Sequence, residues 1–169
     1  MKMKKNGKHL VIRVQTKYRE GHPKEGKDAG FLHEIATGMK VHFIHEGNTE
    51  IEKLYTKLAK HKKGKRTAVL PVTYVDEAGN EILHREFIRI QKITICYDPL
   101  NFKKYDTLEG HKIPICHIQV DDREIHNADN VSDNSGLSRQ DFNDWFFKSR
   151  RAVDYFEGYV LHFTKAFNY

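Results

Sequence analysis

The chain has 169 residues, about the size of one domain. Lys and Arg number 29 against 23 Asp and Glu, giving a formal net charge of +6, and ten Phe, eight Tyr and one Trp can build a core. This excludes a disordered tail, and 11 Gly with 4 Pro exclude a collagen-like chain.

Residues 9–16 read as a strand, with Leu10, Ile12 and Val14 on one face and His9, Val11, Arg13 and Gln15 on the other. A polar loop follows. Residues 29–37 read as a short helix carrying Phe31, Leu32 and Ile35, with Gly38 as its stop. Residues 39–45 return to a strand. The spacing of Thr49 and Glu52 predicts a capping box, and Ile51, Leu54, Tyr55 and Leu58 then form a narrow helical stripe. Residues 67–75 and 81–96 are β-rich and flank DEAGN, a hairpin turn signal. Pro71 cannot donate to a ladder, so its strand is expected at a sheet edge. The apolar parity switches from Ile88 and Ile90 to Ile93 and Ile95, which calls for a bulge or for a strand that passes from one surface to another.

Residues 113–120 form a further strand. Ser138 and Asp141 then match a capping box, Leu137 and Phe142 a hydrophobic staple, and Phe142, Trp145 and Phe146 share one helical face. A last strand spans 156–163. Few helices and six or more strands, mostly antiparallel, point to an α+β fold on a small β-barrel. One domain is expected over 1–169.

No stretch approaches the roughly 20 apolar residues that cross a bilayer. The start, MKMKKNGKHLVIRVQ, has an apolar run too short and too charged for a secretory signal. Cys96 and Cys116 are too few for a disulfide framework or a zinc ribbon. A cytoplasmic setting with reduced thiols is the expectation, with no membrane partner.

The C-terminal stretches SGLSRQDFNDWF and FEGYVLHFTKAFNY resemble the end of ASCH-domain proteins, a branch of the PUA-like superfamily. The N-terminal KHLVIR resembles a first-strand motif of that family, and FIRIQKI resembles its central strand. The segment 47–83, with its Lys-rich helix, fits the pattern less well and reads as an elaboration. The resemblance implies a PUA-like β-barrel with helices packed at its openings and a cleft for RNA or a nucleoside. Some relatives deacetylate N(4)-acetylcytidine with a Lys, a Thr and a Glu. Here Lys8 matches the Lys, but Val11 stands at the Thr position and Gln91 at the Glu position. Val11 has no hydroxyl and Gln91 cannot take up a proton, so that activity is not expected.

These residues lead to a non-catalytic nucleic-acid-binding module, RNA before DNA, as the first hypothesis. A hydrolase acting on a modified nucleoside or RNA is the alternative. Arg13 matches the family's Arg: it either grips a phosphate or base edge with its planar fork, or is an ion-paired strand arginine. Lys62, Lys63, Lys65 and Arg66 lie in a basic run that either contacts phosphates or is a solvated face. Tyr18, beside Lys17, is the candidate for base stacking. With Lys8 these residues make up the expected binding set. Eleven histidines are present, but none has a metal-binding spacing, and His42 and His45 would face opposite sides of one strand. No metal or cofactor is expected.

Overall fold

The computed structural model describes residues 9–60, 67–97, 106–108, 111–113, 116–125, 128–148, 155–165 and 169. In chain order these contain β1 (Leu10–Arg13), α1 (Phe31–Ala36), β2 (His42–His45), α2 (Thr49–Ala59), β3 (Thr67–Ala68), β4 (Val72–Val75), β5 (Glu81–Arg85), β6 (Ile88–Tyr97), β7 (Asp106–Leu108), β8 (His111–Ile113), β9 (Cys116–Val120), β10 (Arg123–Ile125), α3 (Ala128–Asn134), α4 (Arg139–Asn143), a π-helical turn (Asp144–Lys148) and β11 (Tyr155–His162). No helix among them is long and apolar enough to cross a membrane.

The fold is α+β with mostly antiparallel pairing. One sheet has the order β1-β4-β5, with β1 parallel to β4. The larger sheet runs β10-β9-β6-β11-β2, with β3 added to β6, and β7 pairs with β8 separately. Among the described residues these sheets do not close into a barrel.

The alternation in β1 is as expected: Leu10, Ile12 and Val14 are buried, while Val11 and Arg13 are exposed. β4 is not at an edge. It lies between β1 and β5, and Pro71 sits just before its first residue, where the missing N–H breaks no ladder bond and the carbonyl accepts from Leu10 N at 3.0 Å. Val72, Tyr74 and Leu83 of this hairpin are buried core residues, so the segment 47–83 supplies part of the core. Asp76 fastens the turn by accepting from Asn80 N and Nδ2, each at 2.8 Å.

β6 explains its own switch of parity. Its register with β11 is continuous from Cys96↔Tyr155 to Arg89↔His162, so there is no bulge in that ladder. Ile88 and Ile90 are buried on one face, and Ile93 and Ile95 on the other. The strand therefore passes between two apolar layers. Phe43, Tyr74 and Phe163 meet in the first, with Phe43 and Tyr74 at 5.3 Å between ring centroids. Phe156, from the central β11, meets Phe146 at 4.7 Å in the second.

Two helix starts differ from expectation in instructive ways. The cap of α2 is Asn48, whose side chain accepts from Glu50 N and Ile51 N at 3.0 Å, and Thr49 is already helical. Asn is as good a cap as Thr, and being one residue earlier leaves the stripe of Ile51 and Leu58 facing inward. At α4, Ser138 Oγ accepts from Asp141 N at 3.1 Å, as the capping box requires, but Asp141 does not reach back in the usual way. Its Oδ2 instead accepts from Ser138 Oγ at 3.0 Å, Lys24 Nζ at 2.7 Å and Tyr18 Oη at 3.4 Å. The carboxylate thereby ties the 18–24 loop to the helix. The helix then widens into the π turn, which places Trp145 toward Tyr18 and Phe31 while Phe146 packs on Phe142 and Phe156.

Candidate anion-binding cleft

A cleft of about 340 Å³ opens between the end of β1, the outer edge of β2, α1 and the π turn. Among the described residues β2 has a strand partner only on its β11 side, and its other edge forms one wall. The aromatic wall runs through Trp145, Phe31 and Phe43. Trp145 and Phe31 lie 5.7 Å apart between centroids, and Phe31 and Phe43 lie 6.2 Å apart.

Three cations converge on this wall. Arg13, exposed at the end of β1, forms part of the rim. Arg19 places its guanidinium 5.7 Å from the Trp145 ring centroid and pairs with Glu46 at 3.0 Å. Its Nε is shut off from solvent and has no partner. Burial lowers its pKa from the ordinary arginine value. Lys40 forms the floor. It is only 2% exposed, and its Nζ lies 3.7 Å from the Phe31 centroid and 4.6 Å from that of Phe43. The amine donates to the carbonyl of Ser135, just beyond α3. Burial pulls the Lys40 pKa down to about 7, against a smaller upward pull from Glu34. His45 is also in the wall, its Nδ1 accepting from Gly47 N at 2.9 Å, and burial lowers its pKa.

Glu46 and Glu77 complete the rim. Glu77 is engaged elsewhere, accepting from Thr16 N at 2.7 Å and Thr16 Oγ1 at 2.8 Å. Glu46 is the counter-ion an incoming anion would displace from Arg19. A guanidinium fork above an indole face, with an amine deeper in, can hold a planar anionic ligand.

The expected binding set is only partly brought together here. Arg13 lines the cleft, and Lys17 does not: it is exposed on the adjoining loop, in a backbone bridge to Asp28. Tyr18 is not a free stacking ring. It is buried, with His22 stacked at 4.3 Å and Trp145 edge-on at 5.7 Å, and so supports the wall from behind. Lys8, Lys62, Lys63, Lys65 and Arg66 lie outside the described residues. Arg19 and Lys40 were not legible as site residues. A lysine just after Met39 and before an apolar strand has the pattern of an ordinary solvated strand start, and it is the packing of Phe31, Phe43 and the Ser135 carbonyl around its amine that buries it.

Gln91 belongs to a different place. It is buried in a polar cluster that does not line the cleft. Gln91 Oε1 bonds to His162 Nε2 at 2.8 Å, and Gln91 Nε2 donates to Asp121 Oδ2 at 3.1 Å. Asp121 sits at the two-residue β9–β10 turn, where Asp121 and Asp122 both have positive φ, and its Oδ1 accepts from Lys92 N at 2.9 Å. His42 pairs across the ladder with His162 and is bonded through Nδ1 to Tyr169 Oη at 3.2 Å. As the sequence implied, His42 and His45 face opposite sides. Neither Val11 nor Gln91 lines the cleft. Among the described residues no group of three or more His, Cys, Asp or Glu is placed to hold a metal ion.

Comparison of the chain with family models, with curated proteins and with solved structures finds no match in any of the three.

Proposed function

We propose that this protein is an RNA-binding module of the ASCH, PUA-like kind, and that its cleft holds one unstacked nucleotide of a single strand. On this reading the two main sheets are the halves of an open PUA-like barrel, and the cytoplasm is its setting. The observation that carries the proposal is the convergence of Arg13, Arg19 and Lys40 on an aromatic wall that includes Trp145.

Guanidinium groups bind phosphate by paired donors, and an indole face accepts any base by stacking. A volume of about 340 Å³ suits one nucleotide and is far too small for a duplex. Single-stranded RNA presents such splayed bases, which places RNA ahead of DNA. The net charge of +6 favours encounter with a polyanion. Binding is preferred to amidohydrolysis because Val11 offers no nucleophile and Gln91 is turned into the buried cluster.

The chain's single tryptophan stands in the cleft, so its emission reports occupancy directly. Short single-stranded and hairpin RNAs are titrated at several salt concentrations. Binding should change Trp145 emission, and log affinity should fall with log salt by roughly 0.7 for each phosphate contact on a single strand. Arg13→Ala should weaken binding and blunt any preference among sequences, whereas neutralising the basic run at 57–66 should weaken binding to all sequences alike and reduce the salt slope. Absence of binding at low salt overturns the proposal. So does binding that the 57–66 variant loses and Arg13→Ala leaves untouched.

A further inference from the structure

Lys40 is more than a cation in the wall. An ammonium carries three donors and needs acceptors for them when buried. Among the described residues Lys40 has one oxygen acceptor, the Ser135 carbonyl, and it makes no ion pair with a carboxylate. Phe31 and Phe43 offer it ring faces but no lone pairs. A neutral amine matches these surroundings better: one N–H is used, and the nitrogen lone pair stays available. The same burial that removes water from the amine leaves a large share of it unprotonated at neutral pH. A lysine desolvated in an apolar pocket is a recognised means of making an amine nucleophilic toward carbonyl groups.

Position along the wall decides the kind of ligand. Arg19 lies over Trp145, Trp145 abuts Phe31, and Phe31 abuts the Lys40 amine. The guanidinium and the amine therefore contact different rings of one wall, Trp145 and Phe31. A ligand anchored by an anion at Arg13 and Arg19, with a flat body along Trp145, directs its far end to Lys40.

We propose that Lys40 is a nucleophilic amine that captures the carbonyl group of an anionic aldehyde as an imine, with Arg13 and Arg19 holding the anion. The Nζ lone pair forms a bond to the carbonyl carbon, and the C=O π pair moves to oxygen, which takes up a proton. The nitrogen then releases one proton, a second proton reaches the hydroxyl so that it leaves as water while the nitrogen lone pair forms C=N, and the nitrogen gives up its remaining proton. Amine and aldehyde become imine and one water, with no oxidant, reductant or metal. This goes beyond the RNA reading and does not depend on it.

The probe is 4-formylphenyl phosphate, whose phosphate and aldehyde occupy opposite ends of one ring. Folded wild-type protein is treated at pH 7 with sodium cyanoborohydride present, so that any imine is fixed as a secondary amine, and the modified lysines are mapped by peptide mass. Lys40 should be modified first, at least about tenfold faster than the exposed Lys17. Arg13→Ala, at an exposed position, should slow Lys40 severalfold and leave Lys17 unchanged. The uncharged 4-methoxybenzaldehyde should lose the preference for Lys40. Modification of Lys40 no faster than Lys17, or equal modification by the uncharged aldehyde, overturns the proposal. RNA titration of the same preparations separates the two ideas. Capture without RNA binding supports the amine and removes the RNA reading, and RNA binding without capture does the reverse.

Discussion

His42 and His45 are three residues apart on β2 and belong to two chemically different regions. His42 enters a largely buried cluster in which His162, Gln91, Asp121 and Tyr169 are linked by hydrogen bonds. His45 lies in the wall of the cleft with Arg13, Arg19 and Lys40, where charge faces open volume. Both regions depress the pKa values of their basic groups by burial. Perturbed ionisation is therefore common to the two and identifies neither as functional. What separates them is access: the first leaves His42 Nε2 and His162 Nδ1 buried without a hydrogen-bond partner among the described residues and lines no cleft, and the second keeps an exposed arginine at its mouth and an under-satisfied amine at its floor.

The contrast breaks most visibly in acid. His162 has its pKa lowered from 6.5 to about 3 by burial and by the nearby Arg89 charge, and His42 is also pushed well below 6.5 by burial, His162 and Lys40. The folded state keeps both rings neutral where the unfolded chain would protonate them. Stability is thus fully present above about pH 6.5 and falls as the pH drops toward 3. The slope is about 1.4 kcal/mol per pH unit for each ring that the unfolded chain protonates and the folded state does not. Urea midpoints measured from pH 7.5 to 4.5 should show it, and His162→Gln should flatten the curve.

Trp145→Ala tests whether the cleft wall is also core. Loss of a buried indole should cost about 3–5 kcal/mol in urea unfolding. An unchanged midpoint would mean that the wall is a surface feature.

Gln91→Leu strikes the buried polar cluster alone. It removes the partner of His162 Nε2 and one partner of Asp121, and about 1–3 kcal/mol should be lost. RNA or aldehyde binding measured well below the new midpoint should not change. A fall in affinity would show that the two faces of β2 are coupled.

Lys40 gives the cleft its own window, on the alkaline side. Its folded pKa of about 7 lies below the unfolded 10.5, so the unfolded chain binds more protons between these values and stability rises with pH across them. Lys40→Met should remove that rise, as followed by melting temperature at pH 7 and 9, and should also make the acid limb shallower, because the Lys40 charge helps to hold the His42 pKa down. Smallest of all, Arg13→Ala should move stability by no more than about 0.5 kcal/mol. A larger change would make Arg13 a structural residue and weaken its assignment to the ligand.

The sequence shows local periodicity well and juxtaposition poorly. The alternation of Leu10, Ile12 and Val14, the reversal of parity in β6 and the inward face of Phe142 and Trp145 are legible because each follows from a repeat of two or of helical spacing. The misplaced α2 cap is an error of one residue between two equally good capping types. The edge expectation for Pro71 fails because proline at the residue before a strand has a different meaning from proline inside it. Tyr18 reads as a loop ring because no local signal announces that His22 and Trp145 will enclose it. Lys40 is the extreme case. Its environment is made by Phe31 nine residues before it and Ser135 ninety-five residues after it, and neither spacing has a period to detect.

The place of β11 has a consequence for how the protein comes into being during synthesis. Among the described residues β11 is the last strand in sequence, yet it lies between β6 and β2 and is the only one with which β2 pairs. On a ribosome, β2 emerges more than a hundred residues ahead of its partner. The early chain can assemble β1, β4 and β5, but it exposes Phe43 and the edge of β2 until residue 162 is free. Long-range pairing of this kind is slow to close and open to misassociation in the interval. The cleft is therefore a late product of translation, and a nascent chain arrested before β11 would carry the cleft's residues without the cleft.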